Sequence, residues 1–199
     1  MKIVCLDFEG VLIPEIWISF ALKTGIEELK LTTRDVSDYD VLMKRRIEIL
    51  KENNLTLKDI QNVIERMDLL EGAKDFLDEL RTRDQVIILS DTFEEFARPF
   101  IEKLGWPTIF CNSLVVNKDG IIEDYILRQK DGKRKAVIAF QSIGYKVLAA
   151  GDSYNDLSMI KAADKGTFFR APESIKAENP DIPFVTEYYD FLNVIDSFR

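Results

Sequence analysis

Ile3-Val4-Cys5-Leu6-Asp7-Phe8-Glu9-Gly10 decides the fold: four apolar residues run without polar alternation into two acids and a glycine. An unbroken apolar run of that length reads as a short strand buried on both faces, as in a parallel sheet. The pattern returns at Val147-Leu148-Ala149-Ala150-Gly151-Asp152-Ser153-Tyr154-Asn155-Asp156. In an open α/β sheet, ligands bind beyond the carboxyl ends of the strands. Two strands that both end there in carboxylates predict one acidic pocket. Asp7 and Glu9, two apart on a strand, are expected to point to the same side. Such a pocket suits a hard, oxygen-seeking cation such as Mg²⁺ and, through it, a phosphate.

Outward from the first strand, the chain leaves the α/β rhythm. Ile16, Trp17, Phe20 and Ala21 form an apolar face at helical spacing, and Gly25 closes that helix. Val41, Leu42, Ile47, Ile49 and Leu50 mark a second helix. A third starts at Thr56, a natural cap, with Ile60, Val63, Ile64 and Met67 following. The charges at Lys44, Arg45, Arg46 and Glu48 read by default as a solvated helix face. From Glu71-Gly72 the alternation resumes. A helix over 73–81 leads to the strand Val86-Ile87-Ile88-Leu89, expected to stop at Ser90-Asp91-Thr92. Helices over 93–104, 133–143 and 153–163 follow, with separate strand runs at 108–111, 113–116 and 121–128 after the first and a hairpin turn at Asp119-Gly120. The expected architecture is a doubly wound parallel α/β sheet: residues 1–13 and 71–199 form the core, and 14–70 a helical cap over the acidic pocket.

Composition narrows the chemistry. The chain has 199 residues with 27 Lys plus Arg against 35 Asp plus Glu, a net charge of −8. That balance argues against nucleic acid as a partner, which needs a basic stripe, and no basic block suggests a membrane surface. There is no histidine, which excludes Ser-His-Asp and Cys-His catalysis and imidazole metal sites. Acid–base work must fall to carboxylates, lysine, tyrosine or cysteine. Cys5 and Cys111 both sit in apolar stretches and read as buried thiols in a reducing compartment. With no signal-like segment and no spanning apolar run, the expectation is a cytoplasmic protein. The oligomeric state is open, a homodimer included.

Four segments therefore converge on the pocket: Asp7/Glu9, Ser90, Gly132-Lys133-Arg134-Lys135, and Asp152/Asn155/Asp156. A carboxylate can accept a phosphoryl group if a metal offsets the charge repulsion. A serine at a strand end and a lysine at a helix start can hold phosphate oxygens. Lys133 opens its helix, with Lys130 and Lys135 close by. Glu9 beside Asp7 is a carboxylate pair, in which like charge favours one member keeping a proton.

This order of motifs resembles the haloacid dehalogenase superfamily of phosphotransferases, with a small helical cap after the first motif. Cys5 to Trp17, Ile88-Leu89-Ser90-Asp91-Thr92-Phe93 and Ala149 to Asp156 resemble phosphoserine phosphatases and, more closely, the bacterial bifunctional phosphoserine phosphatase/phosphoserine:homoserine phosphotransferases. The resemblance implies an Asp7 nucleophile that becomes an aspartyl phosphate. It also implies Glu9 as general acid and then base, and Ser90 and Lys133 on the phosphoryl oxygens. Mg²⁺ would be held by Asp7, Asp152 and the main-chain carbonyl of Glu9, with Asp156 in support. Arg46 falls where such enzymes bind the substrate carboxylate and Glu15 where they meet its amino group, with Tyr39 and Asn155 lining the substrate pocket. Glu9 is a methylene longer than the aspartate usual there. Asp91-Thr92 replace the usual glycines, which would narrow the pocket or orient an acceptor alcohol. The implied substrates are L-phosphoserine and homoserine.

Other classes fit less well. A receiver-type phosphoacceptor needs neither a helical insertion nor a late Gly-Asp-x-x-x-Asp. No Gly-x-x-x-x-Gly-Lys-Ser/Thr loop marks a kinase, and no Gly-x-Gly-x-x-Gly follows the first strand. A superfamily phosphatase for another small phosphomonoester is the remaining alternative.

Overall fold

The computed structural model describes residues 1–198 apart from 34 and 37. Seven strands form one sheet: β1 (Lys2–Leu6), β2 (Gln85–Phe93), β3 (Ile109–Val116), β4 (Ile122–Ile126), β5 (Lys146–Gly151), β6 (Lys165–Phe169) and β7 (Phe184–Val185). Their order is β4-β3-β2-β1-β5-β6-β7, parallel throughout except for the antiparallel β3–β4 hairpin. The apolar runs that open the sequence are the central pair, β1 and β5, in register from Lys2↔Lys146 to Leu6↔Ala150.

Alternation along these strands splits the interior in two. Val4, Leu6, Leu148 and Ala150 face one apolar cluster, which takes in α4 (Ala73–Arg81), α5 (Glu94–Lys103) and α9 (Tyr188–Asp196). Ile3, Cys5, Val147 and Ala149 face the other, with α6 (Gly132–Ser142), α7 (Leu157–Ala162) and α8 (Glu173–Glu178). Helices cover both faces, so central strands carry apolar residues at every position rather than every second one. The chain winds outward from β1 in both directions, and the reversal leaves a crevice at the carboxyl ends of β1 and β5.

Between β1 and α4 lie α1 (Ile16–Thr24), α2 (Tyr39–Glu52) and α3 (Leu57–Ile64). Gly25 ends α1 in a left-handed conformation, with φ 73°, its N–H bonded to Ala21 O. Asp59 starts α3 by accepting from the backbone N and hydroxyl of Thr56 at 2.8 and 2.7 Å. The apolar sides of these helices, with Trp17, Phe20, Ile47 and Ile60, join the first sheet cluster rather than forming a separate core. Where the chain leaves the sheet and where it returns, Leu70 N donates to Leu12 O at 3.0 Å. On the far side the insertion is tied to the β3–β4 hairpin. Leu57 N donates to Gly120 O at 2.9 Å, and Tyr125 Oη to Asp40 Oδ1 at 2.7 Å.

Three details depart from the sequence expectation. β2 does not stop at Leu89 but runs through Ser90-Asp91-Thr92 to Phe93, because β3 continues beside it after an irregularity in register. Residues 109–116 form one strand rather than two. Met67 lies beyond the end of α3, where it still packs in the core. The helical turn Glu27–Lys30 and α8 are too short to carry an apolar period of their own. No described helix is long and apolar enough to cross a membrane.

Candidate active site

Asp7 follows directly on β1, and its N–H donates to Ala150 O at 2.8 Å, so the β1–β5 ladder fixes its backbone. The chain then folds back: Leu12 and Ile13 N–H both donate to Phe8 O, and Gly10 N–H to Ile13 O. Asp7 and Glu9 therefore face one cavity because of this turn. The strand alternation expected for them does not apply, since β1 ends at Leu6. Gly10 sits at φ 75°, and a Cβ there would run into the Asp152 carboxylate. Glycine is thus what lets the two motif loops touch. Gly151 plays the same part for Asp156.

Lys133, in the first turn of α6, is 5% exposed and binds Asp7 Oδ1 at 2.8 Å and Asp156 Oδ1 at 2.7 Å, with Asp91 at 3.6 Å. Asp156 is fully buried, and its Oδ2 accepts the N–H groups of Asp152 and Ser153, both at 3.1 Å. Burial alone would push the Lys133 amine down. Asp156, Asp7 and Asp91 outweigh it and hold the amine well above its ordinary value. Burial, with Asp156 and Asp152 adding to it, drives the Asp7 carboxyl well above the usual range against the pull of Lys133. One lysine leaves this cluster short of positive charge.

The cluster's donors fit a hard cation. Asp7, Asp152 and Asp156 each offer a carboxylate oxygen, all within 4.8 Å of one another. An all-oxygen set with uncompensated negative charge suits a divalent ion such as Mg²⁺ or Ca²⁺ rather than a thiophilic metal. Asp156 is the most heavily engaged of the three, to Lys133 and two backbone amides. Asp7 Oδ1 is taken by Lys133 and Phe8 N, whereas Oδ2 has no partner among the described residues and Asp7 lines the cavity.

That cavity has a volume of 320 Å³ and gathers Asp7, Glu9, Glu15, Tyr39, Arg46, Ser90, Asp91, Thr92, Lys133, Asp152 and Asn155, from both the sheet and the helical insertion. Asp156 alone of the expected site residues is not in the lining; it lies beneath, under Lys133. Of the three candidate lysines, the structure brings Lys133 to the acids, while Lys130 and Lys135 are exposed. Ser90 is buried, and its Oγ accepts from Thr92 N at 3.1 Å. Asp91 Oδ2 accepts from Asn155 Nδ2 at 3.0 Å, and Tyr39 Oη donates to Asp91 O at 3.0 Å.

Glu9 reaches up to the insertion. Its Oε2 accepts from Ile16 N at 2.9 Å and so caps α1 in place of Glu15, the residue at the cap position. Burial raises the Glu9 carboxyl above its ordinary value, against hydrogen bonds from Ile16, Glu15 and Thr92 and the charge of Arg46.

Arg46 is the surprise of the charged run in α2. Lys44 and Glu48 are exposed, but Arg46 is buried at 7% exposure. Its guanidinium lies over the Trp17 ring at 4.5 Å and donates to Leu31 O at 2.7 Å. Among the described residues its Nε has no partner, and no carboxylate comes within ion-pair distance. Burial pushes this arginine down to about 10, with Glu9, Tyr39 and Glu15 opposing. A signal for its burial was available: Leu42, Met43, Arg46, Ile49 and Leu50 recur at three- and four-residue steps. Trp17, Thr32, Thr33 and Arg170 also line the cavity. The first read only as core, and the others carried no pattern at all.

A haloacid dehalogenase-like hydrolase family model matches residues 1–164. The phosphoserine phosphatase ThrH of Pseudomonas aeruginosa is 56% identical over 190 residues, covering 96% of this chain and 93% of that protein. The phosphoserine phosphatase of Methanocaldococcus jannaschii is 29% identical over 195 residues, covering 91% and 90%. A solved phospho-aspartyl intermediate analogue of phosphoserine phosphatase superposes with a TM-score of 0.77 at 23% identity, covering 100% of this chain and 99% of that one.

Proposed function

Because the chain belongs to the haloacid dehalogenase-like hydrolases, we propose that it takes the phosphoryl group of L-phosphoserine onto Asp7 and passes it to water or to the hydroxyl of homoserine. One observation carries this reading. Among the described residues, a carboxylate oxygen without a protein partner, on Asp7, and a buried guanidinium without a carboxylate, on Arg46, belong to the same small cavity. L-phosphoserine presents a phosphate at one end and a carboxylate at the other, so one molecule answers both.

Asp7 Oδ2 attacks phosphorus while the bond to the serine oxygen breaks, and Glu9 gives that oxygen its proton. No histidine exists to supply it, and burial favours the protonated form of the Glu9 carboxyl. In the second half-reaction, water or the homoserine hydroxyl attacks the aspartyl phosphate. Its proton returns to Glu9, and Asp7 is released. Lys133 and Ser90 hold the phosphoryl oxygens. Arg46 takes the substrate carboxylate, Glu15 and Tyr39 line the amino-acid end, and Asp91, Thr92 and Asn155 shape the wall between. Asp7, Asp152 and the Glu9 carbonyl would hold Mg²⁺, with Asp156 fixing their loop. When bound, that ion offsets the repulsion between Asp7 and the phosphate.

In this scheme residues 14–70 act as a cap on a core of 1–13 and 71–199, excluding water and reading the substrate. All the residues invoked belong to one chain, so the scheme holds for a monomer or a homodimer. A cytoplasmic place in amino-acid biosynthesis accords with the substrates. The test is phosphate release from L-phosphoserine with Mg²⁺, with and without homoserine, and phosphohomoserine measured in the same samples. Phosphohomoserine formed at the expense of phosphate is the expected result. Phosphate release indifferent to homoserine would reduce the activity to hydrolysis. No turnover would withdraw the substrate and leave another phosphomonoester to be found.

A further inference from the structure

Among the described residues the cavity lining holds five carboxylates, Asp7, Glu9, Glu15, Asp91 and Asp152, against three cations. Lys133 is buried and engaged by Asp7 and Asp156, and Arg46, on α2, is buried against Trp17. The third, Arg170, is the one exposed cation in the lining among the described residues. An anionic substrate therefore approaches a protein of net charge −8, past a lining rich in carboxylates.

Arg170 is built to meet it. It follows β6 with φ 55°, a left-handed backbone that Gly or Asn adopts with less strain than arginine. The structure around it over-determines that conformation. Arg170 N donates to Val185 O at 2.9 Å and Nε to Thr186 O at 2.8 Å. The guanidinium lies 4.7 Å from the Phe169 ring centre and 5.0 Å from that of Tyr188, whose hydroxyl is bonded to Val11 O at 2.6 Å. Neither Nη has a protein partner among the described residues, so the outer edge of a rigid planar fork is left for a ligand. Strained residues held this firmly at a cavity rim point to function.

We propose that Arg170 is the anion receiver at the cavity mouth, its free Nη edge taking the phosphate of the incoming phosphomonoester and of departing inorganic phosphate. The inference rests on the reading of the substrate as a phosphomonoester. It places a charge-steering group outside the reacting set, where it acts on capture and not on bond breaking.

The test compares wild type with Arg170→Asn, which suits the left-handed backbone, and Arg170→Lys, which keeps charge but loses the fork. Turnover of L-phosphoserine and of p-nitrophenyl phosphate is followed across ionic strength. Arg170→Asn should lower kcat/KM about tenfold, with the loss falling on KM, and should flatten its decline with salt. Arg170→Lys should recover the salt dependence. If wild type turns over neither compound, the substrate reading fails, and inorganic phosphate binding by calorimetry decides Arg170 alone: several-fold weaker binding in Arg170→Asn is expected. Unchanged kcat/KM and salt slope, or unchanged phosphate affinity where there is no turnover, overturns the proposal. So does an equal fall in kcat and kcat/KM with a lowered Tm, which would make Arg170 structural.

Discussion

The two walls of the cavity differ in how fully their charges are answered. On the sheet side, Lys133 lies within 2.8 Å of Asp7 and 2.7 Å of Asp156, and Asp156 accepts two backbone amides besides. On the helical side, Arg46 has one carbonyl, one sulfur contact and an aromatic face, with Nε unmet. The hydrogen bonds of the first wall are finished before any ligand arrives, though it stays short of positive charge. The second is finished by the ligand. Buried charge left unpaired costs several kcal/mol, and a protein keeps it where a partner periodically supplies the missing half.

The largest effect should come from the finished wall. Asp7→Asn removes the charge of the proposed nucleophile while leaving an acceptor for Lys133, so turnover should vanish with the fold intact. Because Asp7 sits in a cluster with excess negative charge, Tm should hold or rise. Steady-state activity near wild type would remove Asp7 from the chemistry. A melting curve shifted sharply downward would show that the wall needs this charge to stand.

Lys133→Met should be costlier to the fold. It leaves Asp7 and Asp156 facing each other without their shared cation, and breaking a buried pair in this way costs about 3–5 kcal/mol. Denaturant unfolding should register that loss, and a divalent ion should recover part of it by mass action. A variant as stable as wild type would mean the acids have already shed their charge by protonation, and the contrast between the walls would lose its physical basis.

Arg46→Ala probes the unfinished wall. Removing an unpaired buried cation should cost the empty protein little stability, yet KM for L-phosphoserine should rise on the order of a hundredfold. KM for a phosphomonoester without a carboxylate should barely change. Equal losses on both compounds would make Arg46 a structural residue, and a large fall in Tm would say the same.

The sheet wall was the more legible from sequence, for the same physical reason that it is finished. Its residues stand at the ends of buried strands, where unbroken apolar runs such as 3–6 and 147–150 betray them, and the β1–β5 ladder fixes the backbone at Asp7. Ser90-Asp91-Thr92 lines the cavity with the acids, at the end of an apolar run, but its continuation of β2 depends on β3, a long-range partner. The helical wall depends on which face a helix turns inward. Trp17 announced burial without announcing that Arg46 would lie against it. Arg46 hid among Lys44, Arg45 and Glu48, though its spacing from Met43 and Leu50 matched the buried stripe. Arg170 depends on a backbone conformation and on rings from β6 and α9, none of which a linear pattern expresses.

The smallest effect should come from the ties that hold the unfinished wall in place. Tyr125, on the hairpin, donates to Asp40 at the start of α2 and packs edge-on against Tyr39, whose hydroxyl reaches the Asp91 carbonyl. Tyr125→Phe removes only the bond to Asp40, an exposed acid also paired with Lys44. The ring contact and the Tyr39 bond survive, as does the Leu57–Gly120 link. An exposed polar tie of this kind contributes little, so KM should rise no more than about twofold, with kcat unchanged. A loss approaching that of Arg46→Ala would mean that the hairpin, not the ligand, sets the position of Arg46, and both walls would then be built in advance.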